Sequence, residues 1–146
     1  MVPIPLTDLR QRRIRLPGEP QAARRARGQV RAAVRAWAVP VDPDLATLLT
    51  SDLVTEAIRH GDGQSISLGI RCVRTALRVD VYHAAQPRPA GAPQPAAPGC
   101  GLVLVAALAT EWGAFRTPGG RAMYFTLGFE PSLFEPSLPQ AARPGS

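Results

Sequence analysis

The sequence predicts an α+β domain, and three observations carry that prediction. Two early segments place apolar residues at helical spacing, two later ones alternate apolar and polar residues, and a short apolar helix then precedes a pair of strand-like runs. At 146 residues the chain fits one domain, long enough to bury a core without disulfides or metal. An apolar share of 45% argues against wholesale disorder.

Taken in order, residues 1–11 read as a flexible lead and residues 12–16 as a short edge strand ended by Pro17-Gly18. Pro20 suits the first turn of a helix. Ala23, Ala26, Val30, Ala33, Val34 and Trp37 then form one stripe at helical spacing, and Arg24, Arg27, Arg31 and Arg35 form a second. That helix is expected to pack on one side, offer guanidinium groups to a partner on the other, and end near Ala38, before Pro40.

Asp42-Pro43 supplies an N-cap and a first-turn proline for a second helix, which runs to about His60 and closes at Gly61-Asp62-Gly63. Ile66, Leu68, Ile70 and Cys72 keep a strand period. After a turn near Val73-Arg74, Leu77, Val79 and Val81 keep it again, and His83 continues their parity, which points it inward. Residues 84–99 hold five prolines in sixteen residues, a composition for a mobile loop. Gly99-Cys100-Gly101 opens an apolar helix over residues 102–110, and glycines at a helix N-terminus let free N–H groups approach an anion. Residues 112–115 and 122–127, joined through Thr117-Pro118-Gly119-Gly120, predict a closing hairpin. Residues 129–146 carry a tandem Phe-Glu-Pro-Ser-Leu repeat and read as a flexible tail.

Charge is unevenly spread. All seventeen basic residues are arginine, and the first 35 residues hold nine of them against Asp8 and Glu19, a balance of +7 within an overall +6. A basic arm suits an acidic protein or nucleic acid. Nucleic acid is disfavoured as a partner of the protein, because no aromatic residues interleave the basic arm for base stacking. Cys72 and Cys100 are isolated and lack metal-ligand spacing, which suits a reduced protein. No apolar run reaches membrane-spanning length, and with no apolar leader segment at its start the chain is expected to be cytoplasmic.

The segment with the most chemistry is residues 51–60. At 100° per residue, Asp52 and Glu56 share a face with Leu45, Leu48 and Leu49, while Val54 and Ile58 make the opposite face apolar too. Like charges four residues apart repel by a few tenths of a kcal/mol in water, and more when shielded from it. Such a pair needs a cation, a shared proton or a pocket. Arg59 and His60, three and four residues beyond Glu56, provide one internal answer.

With this order of elements and these motifs, residues 12–128 resemble the anti-sigma-factor serine/threonine kinase branch of the gyrase, histidine-kinase and MutL (GHKL) ATPase superfamily. The resemblance rests on residues 51–61, 77–81, Gly99-Cys100-Gly101-Leu102, Trp112-Gly113 and Thr117-Pro118-Gly119-Gly120. It implies a two-layer sandwich of the histidine-kinase-like ATPase fold, with about three helices over one face of a mixed sheet. ATP would lie between helix and sheet under a lid at residues 84–98.

By the same resemblance Asp52 takes the catalytic acid position, and Glu56 stands where an asparagine holds Mg²⁺. His83 stands where an aspartate accepts a hydrogen bond from adenine. Gly99, Gly101 and Leu102 form the phosphate turn, and Ala122 replaces an adenine-binding threonine. These departures favour a degenerate relative acting by protein binding in transcription regulation. Its expected partner is a sigma factor or an anti-sigma-factor antagonist, met by Arg24, Arg27, Arg31 and Arg35, and the resemblance suggests a homodimer. The alternative is an active Mg·ATP-dependent kinase phosphorylating the antagonist. ATP and Mg²⁺ are the implied cofactors if the site works, and none otherwise.

Overall fold

The computed structural model describes residues 10–61, 63–84 and 101–131. Its elements are β1 (Arg10–Leu16), α1 (Gln21–Ala36), α2 (Pro43–His60), β2 (Ile66–Val73), β3 (Ala76–Ala84), α3 (Val103–Leu108), β4 (Glu111–Thr117) and β5 (Gly120–Gly128). The five strands form one sheet in the order β1-β2-β3-β5-β4. Every pairing is antiparallel, which corrects the expectation of a mixed sheet. The reason lies in the connections. Hairpins join β2 to β3 and β4 to β5, and two helices lie between β1 and β2. Arg27 meets Ser51 while Arg31 meets Asp44, so those helices run antiparallel and return the chain against β1.

One parity of each long strand enters the core: Ile66, Leu68, Ile70 and Cys72 on β2, Leu77, Val79 and Val81 on β3, and Met123, Phe125 and Leu127 on β5. They meet Ala22, Ala26, Val30, Ala33 and Val34 of α1, Leu49, Leu53, Val54 and Ala57 of α2, and Val105 of α3. The described residues therefore form two layers, helices over one face of the sheet. None of these helices is long and apolar enough to cross a membrane.

Most elements follow their local signals. Asp42 Oδ1 accepts the Asp44 N–H at 2.8 Å with Pro43 in the first turn, the N-cap chemistry that the sequence specifies. The edge strand starts earlier than expected, because Arg10 and Gln11 pair with Cys72 and Arg71 and so leave the lead segment. The third helix is shorter than expected and ends at Leu108. Ala84, the first residue of the expected lid, belongs to β3, and residues 85–98 lie outside the described residues. Of the expected tail, Phe129 docks on the core and donates its N–H to Thr75 O at 2.9 Å. Residues 132–146, with most of the repeat, lie outside the described residues.

α1 stops for a reason other than Pro40. Val39 N–H bonds Val34 O at 3.0 Å and Ala38 N–H bonds Arg35 O at 3.2 Å, a Schellman closure with Ala38 at φ 51. An L-residue with a Cβ is strained there by about 1–2 kcal/mol. Ala38→Gly is therefore expected to raise unfolding free energy by about 1 kcal/mol, read from urea denaturation midpoints at unchanged slope.

Burial pushes the Cys72 thiol up to about 11, with Arg10 pulling partly the other way. A thiol with a folded pKa above its unfolded one stabilises fully below the unfolded value, near 8.5. That contribution is lost as pH rises through about 11. Unfolding midpoints should accordingly fall between pH 9 and 11 in the native chain, and less so in Cys72→Ala when each is referred to its own value at pH 7.

Candidate functional site

α2 is the middle helix of its layer. Its buried residues, among them Ala46, Leu49, Leu53, Val54 and Ala57, cover much of its circumference, as the apolar pattern on both faces requires. α1 braces one side. Arg27 Nη1 donates to Ser51 Oγ at 2.8 Å, and Arg31 Nη2 donates to Asp44 Oδ1 at 2.9 Å and Thr47 Oγ1 at 3.3 Å.

The other side of α2 carries Asp52 and Glu56, and both carboxylates reach main chain of the segment that enters α3. Gly101 N–H donates to Glu56 Oε2 at 3.3 Å, and Val105 N–H donates to Asp52 Oδ2 at 3.0 Å. Leu102 is the N-cap residue of α3 and has no capping side chain, so Asp52 supplies the missing acceptor from another helix. The two contacts run in opposite senses along the two helices, which sets α3 antiparallel to α2. Gly101 is required by the approach: a Cβ there would overlap Glu56 Oε1.

The sequence-predicted internal network is present as well. Glu56 is 4% exposed, with Arg59 Nη1 3.5 Å from Oε1 and His60 Nε2 3.1 Å from Oε2. The acid pair is thus met by a cation, an imidazole and two backbone N–H groups. The N–H partners had no signal in local spacing, since they lie 45 and 53 residues away.

A magnesium ion on Glu56 would compete with groups that already hold its carboxylate. A carboxylate offers about four lone-pair directions, and Arg59, His60 and Gly101 N–H already take three of them. Among the described residues no group of three or more His, Cys, Asp or Glu side chains is placed to hold a metal.

The remaining sequence-predicted positions separate. His83 is buried and inward-facing, as its parity requires, and its Nδ1 lies 3.1 Å from Ala84 O. A carbonyl oxygen only accepts, so Nδ1 is the protonated nitrogen in that hydrogen bond. Ala122 pairs with Tyr82 and faces the opposite side of the sheet from His83. The residue beside His83 is instead Arg121, 8% exposed, with Arg116 next in the same row. Sequence reasoning missed Arg121, although its parity with Met123, Phe125 and Leu127 was readable. Leu102 is 1% exposed and belongs to the core, and Gly99 lies outside the described residues. In the arginine stripe only Arg24 and Arg35 are exposed, while Arg27 and Arg31 spend their donors on α2.

Large apolar side chains stand exposed on the same two helices: Leu48 at 43%, Val103 at 70%, Leu104 at 39% and Leu108 at 46%. No family model matches this chain, and no curated protein matches it.

Asp52→Ala and Glu56→Ala should each lower unfolding free energy by about 1–2 kcal/mol, as the loss of a cap does. In hydrogen exchange, Val105 should lose protection in the first variant and Gly101 in the second, with the β2–β3 amides retained.

Proposed function

We propose that the chain is a regulatory binding protein in transcription control, a degenerate relative of the anti-sigma-factor kinases with the histidine-kinase-like ATPase fold. It acts by holding a sigma factor or an anti-sigma-factor antagonist. The observation that carries this reading is the use of the Asp52 and Glu56 carboxylates to bind the N–H groups of Val105 and Gly101. A phosphate-binding turn offers those N–H groups to an anion. Here the chain's own Glu56 is that anion, and an incoming triphosphate would meet a second negative charge at the same place. α3 spans only Val103–Leu108, so its dipole adds little attraction.

Two further features support protein binding. Leu104, Leu108 and Val103 present apolar area beside the α2–α3 contact, and apolar surface rimmed by polar residues suits a protein partner. Arg24 and Arg35 stay exposed on α1 to meet an acidic surface. One observation favours the alternative, a nucleotide-binding kinase: His83, Arg121 and Arg116 make a row of nitrogen-bearing side chains on the helix-covered face.

Calorimetric titration separates the two. With ATP, with or without Mg²⁺, no saturable heat is expected up to about 1 mM, whereas Mg²⁺-dependent micromolar binding would overturn the binding-module reading. In pairwise binding assays against individual sigma factors and antagonists, the Leu104→Glu/Leu108→Glu variant should lose the partner that the native chain binds. A partner held equally by both proteins would remove α3 from the interface.

A further inference from the structure

The face of the sheet turned away from the helices carries a different chemistry. In register across it, one row reads Arg15, Ser67, Tyr82, Ala122 and Phe115, and the next Arg13, Gly69, Asp80, Tyr124 and Gly113. A third reads Gln11, Arg71, Arg78, Thr126 and Glu111. Four arginines and three aromatic rings therefore share this face, against two acids. No described helix covers it. Phe115 is 48% exposed, Tyr82 and Tyr124 are half-buried, and Arg15 and Arg71 are exposed.

The side chains are ordered in a way that matters. Arg78 lies over the Tyr124 ring, 3.9 Å from its centroid. Gly113 lets that ring lie low on the sheet, since a Cβ there would sit 2.6 Å from the ring edge. Arg13 donates to Ser67 Oγ at 3.1 Å and sits 3.6 Å from Asp80, which neutralises the central acid. A hollow of about 400 Å³ opens over β1 and β2, lined by Arg13, Gly69, Arg71 and Asp80 among others.

We propose that this open face binds single-stranded nucleic acid, with phosphates on Arg15 and Arg71 and bases stacked on Phe115, Tyr82 and the Arg78–Tyr124 pair. Stacking platforms beside arginines recognise unpaired bases, because every base has a π-face. The arginine stripe of α1 lacks those rings, and this surface supplies them. An acidic peptide would engage the charges but gain nothing from the row of rings. A second copy packed face to face would set four arginines against four. Adjacent strands lie about 4.8 Å apart, so the arginines of β1 and β2 flank the rings of β3, β5 and β4 within a few nucleotides' reach.

The test is fluorescence anisotropy with a labelled 15-nucleotide oligo(dT) and oligo(U), over a salt series. Native protein should bind both single strands more tightly than a duplex of equal length, with affinity falling linearly in log salt. Arg15→Glu/Arg71→Glu should weaken binding and reduce the salt slope by about 1.4, or about 0.7 for each lost phosphate contact. Phe115→Ala should weaken it by about 5- to 150-fold. The control is Arg24→Glu/Arg35→Glu, which changes net charge equally on the helix layer and should weaken binding less than about 3-fold at 0.15 M salt.

Equal weakening by the control would overturn the proposal in favour of diffuse charge attraction. Displacement of the oligonucleotide by an equal charge concentration of polyglutamate would overturn it in favour of an acidic protein. Unchanged affinity in Phe115→Ala, with circular dichroism matching the native chain, would remove the stacking platform. Sedimentation as a dimer that dissociates on Arg15→Glu/Arg71→Glu substitution, without oligonucleotide binding, would assign the face to self-association.

Discussion

Two hydrogen bonds seat α3 on α2: Gly101 N–H to Glu56 and Val105 N–H to Asp52. α3 has six residues, too few to persist alone in water, and its initial N–H groups have no local cap. Seating them on α2 gives the helix its cap and buries Val105 and Leu102 in the core. It also sets where the chain re-enters the domain before β4 and β5 close the sheet. Like-charged carboxylates one turn apart would otherwise burden α2, and the arriving N–H groups turn that cost into the contact that orders its neighbour.

α2 can take this part because it is held from three directions. Arg27 and Arg31 tie it to α1 through Ser51, Thr47 and Asp44, the sheet buries Leu53 and Ala57, and α3 covers its acidic side. Arg12 over the Trp37 ring, 5.5 Å from its centroid, joins β1 to the end of α1. The basic N-terminal quarter therefore does not form one patch. Part of its charge is spent inside the helix layer, part stays exposed on α1 at Arg24 and Arg35, and Arg13 and Arg15 lie on the far side of the sheet. Two surfaces of different character result, an apolar one at α3 and a cationic, aromatic one on the open sheet.

Much of the layout was legible because it depends on local geometry. The apolar stripe of α1, the Asp42-Pro43 start of α2, the alternation of β2 and β3 and the inward aim of His83 all follow from periods of 3.6 and 2, which the backbone imposes. The same logic would have turned Arg121 rather than Ala122 toward the face that holds His83, had the parity of β5 been carried back to its start.

By itself the sequence determined the order of helices and strands, the apolar side of α1, β2 and β3, and that Asp52 and Glu56 must find partners beyond solvent. Only the tertiary structure decided that backbone N–H groups of Gly101 and Val105 join Arg59 and His60 as those partners, that the sheet is antiparallel throughout, and that the N-terminal arginines divide between two faces. The physical reason is sequence distance. Periodicity acts within a few residues, whereas the partner of a buried carboxylate is whichever donor the packed chain brings within about 3 Å, here from 45 and 53 residues away.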